Sequence, residues 1–151
     1  MNGTAAGTDV FQIANDSTLT GLDIAGGEDG VFGDSVTGFT LRDLNISGAT
    51  GNGVFLDGTN SGDILNVVAN LNGFGGFDVD TFNGGTISGN TASGNSVGGF
   101  RVGDFTGGNT AVFSNNSSTS NTVLGYTSLS GTPFDGVGTN TGFGNGGGDN
   151  F

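Results

Sequence analysis

Asp34, Asp57 and Asp80 recur at intervals of 23 residues, and Asp78 and Arg101 stand apart by the same step. Carboxylates stacked in this way are the donors that a hard cation such as calcium prefers, so the three aspartates form a candidate calcium site. Spaced about 4.8 Å apart, neighbouring carboxylates would repel by roughly 3–4 kcal/mol at an effective dielectric near 20. A bound cation would relieve that repulsion. A solvated acidic edge, which discourages lateral aggregation, is the competing reading.

Asp78 and Arg101 should lie on adjacent repeats, with Phe55 and Leu124 beyond them at the same step. They form a candidate binding spot, against which stands an exposed salt bridge worth less than ~1 kcal/mol. Arg42, beside Asp43, reads as a solvated arginine. Acid–base hydrolysis needs two carboxylates about 5–9.5 Å apart in a cleft. Asp57 and Asp80 meet that separation through the repeat alone, so the separation is no evidence for a site.

The chain of 151 residues holds no histidine, lysine or cysteine. That removes the commonest general base, the usual zinc ligands and any disulfide. Fourteen acids against two arginines leave a net charge of −12, which offers nothing to neutralise phosphates and excludes nucleic acid as a partner. No apolar run reaches the roughly 18–20 residues of a membrane helix, so no membrane insertion is expected. The opening MNGTAAGTDVFQIAND has neither a basic n-region nor an apolar h-region.

What would position these residues is a repeat. Val31, Val54, Phe77, Phe100 and Val123 are each 23 apart, and the first four follow a glycine, Gly30, Gly53, Gly76 and Gly99. Leu41, Ile64 and Ile87 form a second column, and Ile46, Ala69 and Ala92 a third. Leu44 and Val67 begin a fourth, which Asn90 interrupts and Phe113 rejoins. Within each repeat the pattern alternates with period two. In GGFDVD, Phe77 and Val79 face one way and Asp78 and Asp80 the other. The same alternation puts Phe32 and Phe55 outward, one above the other. Short strands bounded by Gly, Asn and Ser turns, repeating every 23 residues, predict an all-β single-stranded parallel β-helix (a β-solenoid) of about six coils in a single domain spanning residues 1–151, with residues 1–8 frayed. VFQIAND reads as an early coil and PFDGVGTNTGFGNGGGDNF as the last. Asn45, Asn70, Asn90, Asn115 and Asn140 are expected to form an amide ladder.

Repeats such as ISGNTASGNSVGGFRV and LNISGATGNGVFLDG resemble the right-handed parallel β-helix repeats of pectate-lyase-like proteins and bacterial surface adhesins. The resemblance implies right-handed coiling from about Val10 onward. Lyases of that fold combine calcium-binding acids with a basic residue that takes the proton. This chain offers that role only two arginines, neither facing a convincing acid cluster. The GGxGxDx nonapeptide of calcium-binding β-rolls is absent. No cofactor is therefore expected other than calcium at the aspartate column. Ice binding would call for Thr-x-Thr at one phase of the period, and TLT (18–20) and TNT (139–141) are isolated.

A β-solenoid exposes unpaired backbone at each end unless capped, and neither terminus reads as a helical cap. The expectation is a non-enzymatic extracellular or cell-surface structural solenoid. It would stack head to tail into a filament or form the shaft of a longer adhesin-like protein. The contacts would come from Val10, Phe11 and Ile13 at one end and Phe143 and Phe151 at the other. The alternative is a monomeric glycan-binding β-helix using Phe32, Phe55, Asp78 and Arg101. A lyase-like enzyme and an ice-binding protein rank below both.

Overall fold

A computed structural model of the chain describes residues 2–3, 7–104, 111–128 and 139–147. β1 (Asn2–Gly3) lies one turn before β4 (Asp23–Gly26), and the first full turn holds β2 (Phe11–Gln12), β3 (Thr18–Thr20) and β4. The second holds β5 (Val31–Asp34), β6 (Thr37–Arg42) and β7 (Asn45–Ser47). In the next two turns the first pair of strands fuses, giving β8 (Val54–Leu65) with β9 (Val68–Asn70), then β10 (Gly75–Ser88) with β11 (Thr91–Ser93). β12 (Gly98–Asp104), β13 (Ala111–Ser114), β14 (Ser117–Thr119), β15 (Leu124–Ser128) and β16 (Thr141–Phe143) complete the stack.

All pairings are parallel, and each strand pairs with its counterpart one turn away. One sheet orders its strands β1-β4-β7-β9-β11-β14-β16. The other runs β15-β12-β10-β8-β5-β2, with β3, β6 and β13 along its flank. The six rungs of that second path enclose about five full turns rather than six. At the start of the chain β1 pairs with Ala25 and Gly26, and the Thr8 carbonyl accepts from the Glu28 N–H.

The core follows the columns. Val31, Val54, Phe77 and Phe100 are buried in register, and the Phe77 and Phe100 rings stack with centroids 4.6 Å apart. The glycine before each makes the solenoid thin: a Cβ on Gly76 would lie 2.6 Å from the Cβ of Ala92 in the opposite sheet. Two column assignments need correction. Three extra residues enter between Asp104, which pairs with Thr81, and Ala111, which pairs with Gly85. The step there becomes 26, so Tyr126, not Val123, continues the Phe77–Phe100 column, and its ring stacks on Phe100 at 5.2 Å. Val123 is exposed. By the same insertion Phe113 pairs with Ile87 rather than following Val67.

Nor is the asparagine ladder the one expected. Asn90, Asn116 and Asn140 form one buried ladder, and Asn72, Asn95, Asn121 and Asn145 another. In each step a backbone N–H donates to the side-chain oxygen one turn on. Asn45 and Asn70 lie outside on the sheet surface, and Asn115 occupies a left-handed turn (φ 55°). Asn115 recurs there because Asn tolerates φ > 0.

Candidate functional site

Pairing in register builds one outward column along the second sheet: Gln12, Phe32, Phe55, Asp78, Arg101 and then Thr127 rather than the expected Leu124, which the insertion moves into register with Gly98. Phe32 and Phe55 point outward as expected, half-buried, with ring centroids 5.6 Å apart and planes tilted by 51°. Asp78 and Arg101 are in register, and Arg101 Nε donates to Asp78 Oδ1 at 2.5 Å. The pair is not the exposed one that was expected. The Asp78 side chain is 6% exposed and that of Arg101 39%, because the carboxylate is flanked in register by the Phe55 ring and the guanidinium stem. Burial is the main influence on Asp78 and raises its pKa, against the hydrogen bond and charge of Arg101, which lower it.

The aspartate column is in register at Asp34 and Asp57 and breaks at Asp80. Between Val79 and Thr81 the register shifts, so β8 places both Asp57 and Gly58 opposite Asp80. A bulge of this kind bends a strand and re-aims a side chain. Gly58 takes the positive φ of 69° that the turn requires. Asp80 then reaches Arg101, with Nη2 to Oδ1 at 3.4 Å. Desolvation, then a hydrogen bond to the Asp57 carboxyl, push the Asp80 pKa up. Asp34 accepts from its neighbour Ser35, and Asp57 from the Gly58 N–H. Among the described residues no three acids gather into a metal-ligating group.

Beside the column the turns build a ridge. Phe74, Val97 and Val123 follow one another on successive turns, joined by backbone hydrogen bonds from Val97 to Phe74 and from Val123 to Val97. Phe74 and Val123 are exposed, Val97 and Leu124 half-buried. Between ridge and column the register positions hold glycine at Gly75 and Gly98. The missing side chains leave a pocket of about 180 Å³ lined by Phe74, Val97 and Leu124 on one side and Asp78, Arg101 and Thr127 on the other. Sequence reasoning found the column but missed the ridge. The insertion before Ala111 hid Val123, and Phe74 and Val97 precede the glycines rather than alternating with the core.

Elsewhere, Ile13 is buried, and Val10 and Phe11 pack half-buried against the core. Phe143 projects from the outer face of β16, 81% exposed and in register with Thr119. Phe151 lies outside the described residues. Arg42 and Asp43 form an exposed pair at 3.6 Å. Among the described residues no helix is long and apolar enough to cross a membrane.

Comparison with known proteins adds one positive result. A family model described as the right-handed beta helix region matches residues 8–143. The search of curated proteins and the search of solved structures returned no match. With nearly the whole chain matched, and its strands stacked in parallel register turn upon turn, this chain belongs to the right-handed β-helix family.

Proposed function

We propose that this chain is a non-enzymatic, extracellular or cell-surface β-helix of adhesive character, a rigid rod whose lateral Phe32–Phe55–Asp78–Arg101 face binds glycans. One observation carries the reading. A half-buried aromatic pair, a buried carboxylate and a partly exposed guanidinium lie on consecutive rungs beside an apolar-walled pocket. Concave apolar surface with a few convergent polar groups is the usual form of a small-ligand site. Catalysis is a poorer reading. The chain has no histidine or lysine, and Asp78 and Asp80 are both held by Arg101. A glycan array tests the proposal: binding that is lost in Phe55→Ala and in Arg101→Ala supports it, and array signal indifferent to both substitutions refutes it.

End-to-end assembly is a second reading, favoured by the polarity of the asparagine ladders. Each backbone N–H donates to the amide oxygen of the following turn, and this continues to Asn140 and Asn145 in the last described turn. Stacked copies would prolong such one-way ladders and the parallel strand pairing beside them. Val10 and Phe11 at one end, and Phe143 and Phe151 at the other, would lie near the junction. Charged substitutions at Phe11 and Phe143 should abolish filaments seen by electron microscopy while leaving the β-sheet circular dichroism intact; filaments surviving both would rule this reading out.

A further inference from the structure

Given glycan binding at this face, on which the inference rests, the pocket beside Asp78 also selects among sugars. Asp78 uses Oδ1 for Arg101, and Arg101 uses Nε and Nη2 for Asp78 and Asp80. That leaves Asp78 Oδ2 and Arg101 Nη1 without hydrogen-bond partners among the described residues. Asn52, also at the pocket, is occupied: its Oδ1 accepts the Gly75 N–H and its side chain bonds the Asp29 carboxylate. No buried side-chain polar atom lacks a partner among the described residues, so Asp78 Oδ2 and Arg101 Nη1 both reach solvent. One strong acceptor and one strong donor thus stand open at an apolar cavity.

Charge decides which ligand satisfies them. Asp78 and Asp80 both bond Arg101, and Asp57 adds a third carboxylate beside them, so the site is net negative and a carboxylate or sulfate would be repelled. A simple cation would satisfy Asp78 but face the guanidinium. A hydroxyl group can donate to Oδ2 and accept from Nη1 at once, and two adjacent hydroxyls can divide the two atoms between them. The walls of Phe74, Val97 and Leu124 ask for an apolar face on the same molecule. At about 180 Å³ the cavity is smaller than the roughly 300–1,000 Å³ of sites for drug-sized ligands, so it takes one ring. We infer that the pocket formed by Asn52, Phe74, Asp78, Val97, Arg101 and Leu124 binds a single neutral pyranose unit, with adjacent hydroxyls on Asp78 and Arg101 and its C–H face on Phe74.

Heteronuclear NMR titration of the whole chain tests this, with neutral methyl hexopyranosides, the matching methyl uronates and a cyclic alkylamine as probes. The expected result is saturable binding of a neutral pyranoside that moves the Gly75, Gly98 and Arg101 amides. Uronates should bind at least tenfold more weakly, and Asp78→Asn should weaken the pyranoside at least tenfold. Should Asp78→Asn fail to fold, Gly98→Val narrows the pocket instead. A Cβ at Gly98 meets nothing nearer than the Leu124 carbonyl at 3.5 Å, so that variant should fold and lose binding. Uronates binding as well as neutral sugars would overturn the inference while leaving glycan binding standing. Binding of the alkylamine alone, or of no probe, would overturn both. A pyranoside affinity unchanged in Gly98→Val would place the sugar elsewhere and overturn the pocket assignment.

Discussion

Asn95 donates to Asn121 twice: its backbone N–H and its Nδ2 both meet the Asn121 side-chain oxygen at 3.0 Å. Its own Oδ1 accepts from the backbone N–H and Nδ2 of Asn72, and its Nδ2 also reaches the Ala69 carbonyl. One fully buried side chain thus satisfies polar groups on three successive turns, at a corner where the strand ladders are interrupted.

Asn95→Leu keeps the volume but strands the Asn72 N–H and the Ala69 carbonyl in the interior. At about 1–3 kcal/mol for each of these two unsatisfied buried groups, the loss should be about 2–6 kcal/mol. Asn83→Ala, on the exposed side of β10, should stay within about 0.5 kcal/mol. Urea midpoints of the two variants check the contrast; equal midpoints would deny the ladder its structural role.

Leu71 is the residue worst suited to its place. It holds φ 56°, 71% exposed, in a turn column whose other members include Gly48, Gly94 and Ser120, all at positive φ. The left-handed region costs a non-glycine residue roughly 1–2 kcal/mol. Leu71→Gly relieves that strain, offset in part by the freer unfolded chain, and should raise the thermal midpoint by about 2–4 °C. A lowered midpoint would mean that Leu71 makes a contact worth more than its strain.

Acid should stabilise the fold before it harms it. Asp29, Asp78 and Asp80 all have raised pKa values, with burial the first cause in each. A carboxyl that binds its proton more tightly when folded favours the native state as pH falls. Stability should therefore rise as pH drops from neutral through the raised values, the gain being complete below the ordinary value of 3.8. Melting curves across that window check it. Asp78→Asn and Asp29→Asn should each flatten the rise; a midpoint that falls steadily from neutral pH would contradict the assignment.

Removing Arg101 leaves Asp78 buried without its partner. Arg101→Ala should cost roughly 1–3 kcal/mol, the range for a hydrogen bond to a charged group, reduced by the partial exposure of the arginine. Adding Asp78→Asn to Arg101→Ala should recover much of that loss. A double-mutant cycle by chemical denaturation reads the coupling, and strict additivity would show that the pair contributes nothing.

The fold was largely legible because a parallel solenoid writes its period into the chain. Val31, Val54, Phe77 and Phe100 keep one step, and each packs on the next. Legibility ended where the step changed. Once three residues entered before Ala111, spacing alone sent Val123 and Phe113 to the wrong columns. The same break concealed the last member of the apolar ridge, Val123, which meets Val97 only through the longer turn, whereas Phe74 and Val97 keep the regular step. The outward Phe32–Phe55 and Asp78–Arg101 pairs were readable from alternation alone. The burial of Asp78, the rerouting of Asp80 by the bulge at Gly58 and the pocket over Gly75 and Gly98 were not, since each depends on backbone shape and on side chains that are absent.

Glycan engagement at the Asp78–Arg101 flank can be mapped by amide chemical shifts, using a glycan that the chain captures from an array. Perturbations should concentrate at Phe55, Gly75, Gly98, Arg101 and Thr127 and be lost in Arg101→Ala. Perturbations centred instead on the outer face of β11 and β14, around Thr91 and Ser117, would contradict it and move the binding surface to the opposite sheet.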